Sequence, residues 1–471
     1  MNIDEPFNRK DPARNNRIES ERKGTKQIHE PPRETPVVGE FDVIVAGGGP
    51  AGVGAALAAA DQGASVLIVE RHGMLGGVWT AGLLNPFFDQ IAKGYMVQEL
   101  IDRLNAGNAW RHWRRNVYCF DVESMKYLLE RWCQQLGITV WYHAPIVDAI
   151  VEDRLFKGVI LEGKSGREAV LAQVCIDATG DGDLAARGGA SYAYGRMEDG
   201  AAQPMTLMFE IDQMPPGFVH AESKQHLRQE MEAALERNGV EYQWPIGCGE
   251  NAPYIINVPK TQTAVVQFTH VYGHSALNTQ EVSAATIEAR RQAYESIEAF
   301  RQLPGFENIR LTQTAPALGI REGRRIHGDA VLTEQHIYAG ARWEDAVAFG
   351  SFGIDIHDPK PGSRATQDQN KKRQRPQPYE IPYGCLLPRG LEGLLVAGRC
   401  ISGTHVAHSS YRVTGTCMQM GQAAGVAAAM AARQGVAPRR IEGTRLKRRL
   451  QDLGAGFLED HKAARACITS P

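Results

Sequence analysis

The sequence predicts an α/β protein: a Rossmann-like nucleotide-binding domain interrupted by an inserted α+β domain. Three observations predict it. An apolar strand, Val43–Ala46, runs into Gly47, Gly49 and Gly52 at the G-x-G-x-x-G spacing. A second apolar run, Ser65–Val69, follows a small-residue helix and ends in Glu70. A third, Leu394–Ala397, ends in Gly398 far downstream, so the nucleotide fold must close across a long intervening segment.

Each residue of the first element has a physical role. Gly47 allows the tight turn, Gly49 lets the backbone approach a pyrophosphate with no Cβ in the way, and Gly52 lets helix and strand pack closely. The helix opening at Pro50 and Ala51 offers unpaired N–H groups and a partial positive charge to phosphates. Glu70, at the end of the second strand, sits where a carboxylate accepts hydrogen bonds from a ribose. A glycine turn that merely packs would leave Glu70 unexplained.

The residues after Glu70 choose among dinucleotides. Glu70-Arg71-His72-Gly73-Met74-Leu75-Gly76-Gly77-Val78-Trp79-Thr80 carries paired glycines, Gly76 and Gly77, in a loop that an extended FAD needs at close range. The stretch resembles the E-x-x-x-x-L-G-G-x-x-T pattern of glutathione-reductase-like flavoproteins with two-dinucleotide-binding-fold FAD domains. It most resembles the FAD-dependent oxidoreductases. Val174–Asp183 supports this, with a strand ending in Ala178-Thr179-Gly180 and then Asp181. So does Gly393–Arg399, followed by a small-residue helix near Gly415. The resemblance spans about residues 36–432. It implies FAD as cofactor, with Val147 beside the adenine, Gly180 and Asp181 at the late turn, and Gly415 and Thr416 facing the flavin ring. It departs from many such folds at Arg399, where an Asp usually meets the ribityl chain; Arg399 places positive charge near the pyrophosphate instead. The implied activity is that of a dehydrogenase or oxidase, taking hydride from a small organic substrate onto flavin N5. Electrons then pass to oxygen, a quinone or a carrier. The alternatives are a flavin monooxygenase, or a flavin-carrying electron-transfer or non-catalytic subunit. The presence of one G-x-G-x-x-G motif weighs against a separate NAD(P)H domain.

Composition sets outer bounds. A chain of 471 residues exceeds one ordinary core, so two interleaved domains are expected. With 52 basic against 54 acidic residues, no strong basic surface for nucleic acid is expected. The eight cysteines contain no C-x-x-C pair, which weighs against a redox disulfide and a zinc site, and scattered thiols suit a reducing compartment. No signal-like apolar stretch opens the chain, so the cytoplasm is the expected location. Val413–Ala432 is apolar but interrupted by Gln419 and Gln422, and reads as a buried helix rather than a membrane span. A homo-oligomer is compatible with all of this.

Four divisions follow. Residues 1–35 read as a polar arm, 36–190 as the first part of the FAD-binding domain, 191–385 as the inserted substrate domain, and 386–471 as the second part with C-terminal helices. Periodicity predicts helices at Tyr118–Gly137, Ala221–Asn238 and Thr279–Phe300. It predicts strands at Thr139–Tyr142, Met205–Ile211 and Ala264–His270, and a small antiparallel sheet from His143–Val151 and Gly158–Leu161. Lys371–Arg375 is a basic loop, read as a solvated face.

Candidates for chemistry lie in three segments. The polar loop after Arg399 carries His405, His408, Tyr411 and Arg412 beside the expected flavin ring. A His can take the proton that accompanies hydride loss, and an Arg can clamp a substrate carboxylate. Equally, these groups can simply hydrogen-bond the loop. Arg321 stands in an Arg-rich segment before a strand, facing either the active site or a structural Glu. Asp355 and His357 alternate in Ile354–Asp358 and so share a strand face, where the carboxylate would orient the base. No third ligand stands at a telling spacing, so no metal is expected. Cys417, Gly421, Gly425 and Ala428 form a small-residue stripe, for helix packing, for the flavin, or for both.

Overall fold

In the computed structural model, which describes residues 26, 28–114, 116–218, 224–248, 252–360 and 376–460, strand β1 (Val37–Ala46) leads through the glycine loop into helix α1 (Pro50–Asp61). Strand β2 (Val66–Val69) then returns parallel to β1. Val43–Ala46 and Val66–Val69 are fully buried, which is why they read as continuous apolar runs. Next comes a three-stranded antiparallel sheet of β3 (Pro86–Phe87), β4 (Trp110–Arg114) and the central β5 (Val117–Phe120), with helix α2 (Tyr95–Ala106) between β3 and β4. Helix α3 (Val122–Gln135) leads to β6 (Thr139–Trp141), parallel to β2. Strands β7 (Ile146–Glu152), β8 (Leu155–Gly163) and β9 (Gly166–Asp177) form an antiparallel meander. The end of β9 also runs parallel to β1, pairing Val43 with Val174 and Ala46 with Asp177. Helix α4 (Asp183–Arg187) follows.

The chain then leaves this sheet. After β10 (Tyr192–Ala193) come β11 (Phe209–Asp212), α5 (Lys224–Asn238), β12 (Tyr254–Asn257), β13 (Ala264–Gln267), α6 (Thr279–Phe300) and β14 (Arg310–Thr314). The four longer strands form an antiparallel sheet in the order β12-β13-β11-β14. This sheet and its helices enclose a second core around Phe209, Met231, Phe268, Ile297 and Phe300. Strand β15 (Arg325–Ile326) pairs back with β10. Helix α7 (Glu334–Ala339) and the hairpin-like pair β16 (Ala346–Gly350) and β17 (Tyr379–Pro382) rejoin the first core through Ala346, Ala348, Tyr379 and Ile381. Strand β18 (Leu394–Val396) then adds parallel to β9, setting Leu395 opposite Ile176. Helices α8 (His405–Tyr411), α9 (Thr414–Gln434) and α10 (Gly443–Asp452) end the described chain.

Helix α9 is buried almost throughout. It lies directly on α1: a Cβ at Gly421 would stand 2.0 Å from the Ala51 carbonyl, and one at Gly425 2.2 Å from that of Ala55. The small-residue stripe is therefore a helix-packing surface, and Cys417 alone among its four residues lines the central cavity. Among the described residues, no helix is long and apolar enough to cross a membrane.

Several local expectations need correction. The helix expected from Tyr118 begins at Val122, because Tyr118–Phe120 pairs into the three-stranded sheet and the Asp121 side chain caps the helix, accepting from the Ser124 N–H at 2.7 Å. The strand expected at Met205–Ile211 is regular only from Phe209; Met205 and Thr206 make single bridges to Val271 and Gly319. Ile354–Asp358 is not a strand. Its backbone is held by side chains instead: the Asp355 carbonyl accepts from Arg412 at 2.7 Å, and the His357 N–H donates to Gln203 at 3.0 Å. The polar segment after Arg399 is a short turn followed by α8, capped by the Thr404 hydroxyl. Lys371–Arg375 and nearly all of the polar arm's first 27 residues lie outside the described residues.

Candidate active site

A cavity of about 590 Å³ opens at the carboxyl ends of β1, β2, β9 and β18, where parallel sheets place their ligands. Gly47 lies at φ +94°, and a Cβ there would stand 2.7 Å from the Ala178 carbonyl. A Cβ at Gly52 would stand 1.8 Å from the Gly47 carbonyl. Both glycines are demanded by the protein's own packing. Gly49 differs: its φ is an ordinary −72°, and a Cβ there would meet nothing within 4 Å. Its bareness serves the cavity, together with Pro50 and Ala51, which also line it. Helix α1 has no side-chain cap and no acid in its first turn, so its N-terminal field is open to an anion.

Glu70 is buried at the cavity wall. Its carboxylate accepts from the Gly48 N–H at 2.7 Å and the His72 N–H at 2.8 Å, and so fixes the glycine loop. Gly77 lines the cavity and packs on Gly49, while Gly76, at φ +102°, bonds the Gly48 carbonyl from behind. Arg71, Ala144, Pro145 and Ile146 continue this end of the cavity. Val147 does not line it; its carbonyl accepts from Arg187 at 2.9 Å. On the opposite wall, buried Asp177 accepts from Thr179 N–H and hydroxyl and from the Ala185 N–H, shaping the Ala178–Gly180 turn. Burial nevertheless raises its carboxyl above the usual range. Gly180 backs onto Arg399, which pairs with Asp181 at 2.8 Å, and all three line the cavity beside Gly398.

The N-terminus of α9 closes the far end. Thr414 and Cys417 line the cavity, and the buried Thr414 hydroxyl has no hydrogen-bond partner. Gly415 and Thr416 turn away from it: the Gly415 N–H donates to the Phe88 carbonyl, and the Thr416 hydroxyl donates to Asp89 at 2.6 Å. Asp89 in turn pairs with Lys93 at 3.2 Å, both side chains buried. This ion pair, invisible to motif reading, anchors the helix end. The open space over Gly49, the orphan Thr414 hydroxyl and two helix N-termini without side-chain caps at one cavity fit an extended dinucleotide.

Above the far end, four polar side chains converge from three separate segments. Arg321, Asp355, His357 and Arg412 all line the cavity. His357 Nε2 is 3.5 Å from Asp355 Oδ2, and Arg412 Nη2 stands 3.5 Å from the same oxygen. Burial tends to raise the Asp355 carboxyl, but His357, Arg412 and Arg321 together hold it well below its usual range. Burial and Arg321 lower the His357 imidazole, keeping it neutral near pH 7. Its Nδ1 lies 3.4 Å from Nε2 of His270, a buried residue the sequence reading missed. His270 turns its Nδ1 to the Phe268 carbonyl at 3.2 Å, which leaves Nε2 as an acceptor. Tyr254 and Gln267 from the second sheet and Arg114 from β4 complete this wall, and none carried a sequence signal.

The other candidates lie elsewhere. His405 Nδ1 is 2.8 Å from buried Glu322, which also pairs with Arg325; this is the structural arrangement weighed for the Arg-rich segment. Tyr411 is fully buried, its hydroxyl donating to the Ile401 carbonyl at 3.1 Å. His408 is buried against Tyr411. Because this segment is a helix, these three side chains enter the protein behind the cavity wall. Among the described residues, no cluster of three His, Cys, Asp or Glu is placed to hold a metal.

The family model described as FAD dependent oxidoreductase matches residues 42–450, and the chain belongs to that family. Thiamine thiazole synthase of Methanococcus aeolicus is 28% identical over 151 residues, covering 30% of this chain and 55% of that protein. Digeranylgeranylglycerophospholipid reductase 1 of Methanopyrus kandleri is 32% identical over 160 residues, covering 30% of this chain and 40% of that one. The chain spans about half the length of the curated relatives it matches. A geranylgeranyl bacteriochlorophyll reductase-like structure from Thermoplasma acidophilum covers 90% of this chain and 87% of its own, at 14% identity and a TM-score of 0.44. The protein is an FAD-dependent oxidoreductase with a Rossmann-type α/β fold.

Proposed function

We propose that this enzyme is a dehydrogenase or oxidase, removing a hydride and a proton from a small organic substrate. The observation that supports this reading is the meeting of Arg321, Asp355, His357 and Arg412 on the cavity that the glycine loop also lines. Bound FAD supplies the two-electron acceptor for the hydride. Gly49 and Ala51 would hold its pyrophosphate at the α1 N-terminus, and Glu70 its ribose. Gly398, Thr414 and Cys417 would border the ring.

His357 takes the proton. It rests neutral, as a base must. The proton goes to the Nε2 lone pair, which Asp355 approaches only to 3.5 Å, and the Asp355 carboxylate then stands beside the imidazolium, with the other ring nitrogen turned to His270. Asp355 is fixed in turn by Arg412, which bonds its carbonyl. The C–H and the O–H or N–H bond of the substrate are thus broken as a pair, with two electrons leaving in the hydride and the proton resting on imidazole. The electron acceptor that reoxidises the enzyme is oxygen, a quinone or a carrier.

The test is anaerobic flavin bleaching against a panel of alcohols, hydroxy acids and amines, followed by His357→Asn. The variant should keep its flavin and reduce it about 10²–10⁴-fold more slowly. Reduction at the parent rate would remove His357 as the base.

A further inference from the structure

We infer that the substrate is a carboxylate, seated on the guanidinium of Arg321; this rests on the reading of the Arg321–His357 end of the cavity as the substrate site. The cavity wall there carries three guanidiniums, Arg114, Arg321 and Arg412, against one carboxylate, Asp355. The two histidines between them add no charge: burial and the neighbouring Arg321 hold both His270 and His357 neutral.

Arg412 is committed to the protein. Its Nη1 donates to the Arg321 carbonyl at 3.1 Å, and its Nη2 to the Asp355 carbonyl and to Gln203, beside the Asp355 carboxylate. Arg321 is not so matched. Its Nη1 donates to the Pro204 carbonyl at 2.7 Å and its Nη2 faces His270 Nε2 at 3.4 Å, both neutral partners. Among the described residues it makes no ion pair. A guanidinium set deep in a wall, beside a second guanidinium and sharing with it the field of Asp355 but in ion-pair contact with no carboxylate among the described residues, is costly unless a ligand supplies the charge. Burial and Arg412 accordingly lower it to about 10, yet it stays charged at neutral pH. A planar fork with free N–H edges matches a carboxylate better than a point charge would.

Position separates this cation from those the cofactor needs. The pyrophosphate field belongs to α1 at Gly49, on the sheet side of the cavity. Arg321 instead ends the Ala317–Arg321 wall, beside Thr206. Tyr254 and Phe352 share that region, so the carboxylate would sit on a substrate with an apolar or aromatic body.

The experiment uses the flavin-loaded protein and matched probes of equal shape: benzoate with benzamide, and acetate with acetamide. Binding is read by flavin absorbance perturbation and by equilibrium dialysis, neither of which needs turnover. Each carboxylate should bind at least tenfold more tightly than its amide. Arg321→Met should remove that preference, and Arg321→Lys should keep part of it. Equal binding of acid and amide, no binding of either acid, or an unchanged preference in Arg321→Met would each overturn the inference. If Arg321→Met does not fold, the acid-to-amide ratio of the parent decides alone. Should His357→Asn reduce flavin at the parent rate, His357 is not the base, while the benzoate result still judges the anion seat.

Discussion

Gly49→Val separates the ligand's demand from the protein's. Nothing in the fold lies within 4 Å of a Cβ at Gly49, and its φ of −72° suits any residue. The folded chain without cofactor should therefore unfold within about 1 kcal/mol of the parent. The branched side chain would stand where a pyrophosphate must approach, so FAD should no longer bind. The stabilisation that cofactor gives the parent, about 2.7 kcal/mol at a hundredfold excess over its Kd, should vanish. Gly52→Ala is the counterpart. Its Cβ would stand 1.8 Å from the Gly47 carbonyl and 3.3 Å from Ala178 Cβ, so the fold itself should lose about 3 kcal/mol or more. Flavin absorbance per chain, and unfolding with and without added FAD, read both effects. Gly49→Val should unfold like the cofactor-free parent and ignore FAD; Gly52→Ala should unfold early in either condition. A Gly49→Val protein that purifies with a full complement of FAD would refute the reasoning, because the bare backbone at Gly49 would then be only a turn.

Two further outcomes follow from buried charge. Lys93→Met leaves Asp89 ionised and unpaired behind the α9 N-terminus, a loss of about 3–5 kcal/mol in urea unfolding, and adding Asp89→Asn should recover most of it; a single variant as stable as the parent would deny the pair any role. His270 and His408 are held well below the ordinary 6.5, first by burial and then by neighbouring arginines, Arg321 for His270 and Arg412 for His408. The folded state thus binds fewer protons than the unfolded chain. Their contribution is whole above about pH 6.5 and is lost as the pH falls below it. Urea midpoints should drop on acidification across that range, with a shallower drop in His408→Gln; an equal slope would mean that His408 is not buried neutral.

What the sequence disclosed was what is local in the chain. Gly47, Gly49, Gly52 and Glu70 lie within one strand–helix–strand unit, and their spacing alone states the packing and the ligand they serve. The polar cluster over the far end of the cavity is not local. Gln203, His270, Arg321, Asp355, His357 and Arg412 come from five parts of the chain, and no spacing relates them. His270 in particular reads as an ordinary strand-end residue until the second sheet folds over the cavity.

His405 shows the opposite failure. Position made it attractive, because it follows the last strand of the nucleotide fold. One local signal spoke against it: Thr404 stands where an N-cap would, three residues before Ala407, whose N–H its hydroxyl accepts at 3.2 Å. A helix starting there sets His405, His408 and Tyr411 at i, i+3 spacing, so they turn to one side together, and that side is not the cavity. Arg412, at the C-terminal end of that helix, is the residue that reaches the cavity. The same turn that points His405 away from the cavity hands it to Glu322, and through Glu322 to Arg325. That trio ties the wall carrying Arg321 to the helix carrying Arg412. The histidine that position favoured thus helps set the spacing between the two guanidiniums, and the histidine that lines the cavity is the one beside Asp355.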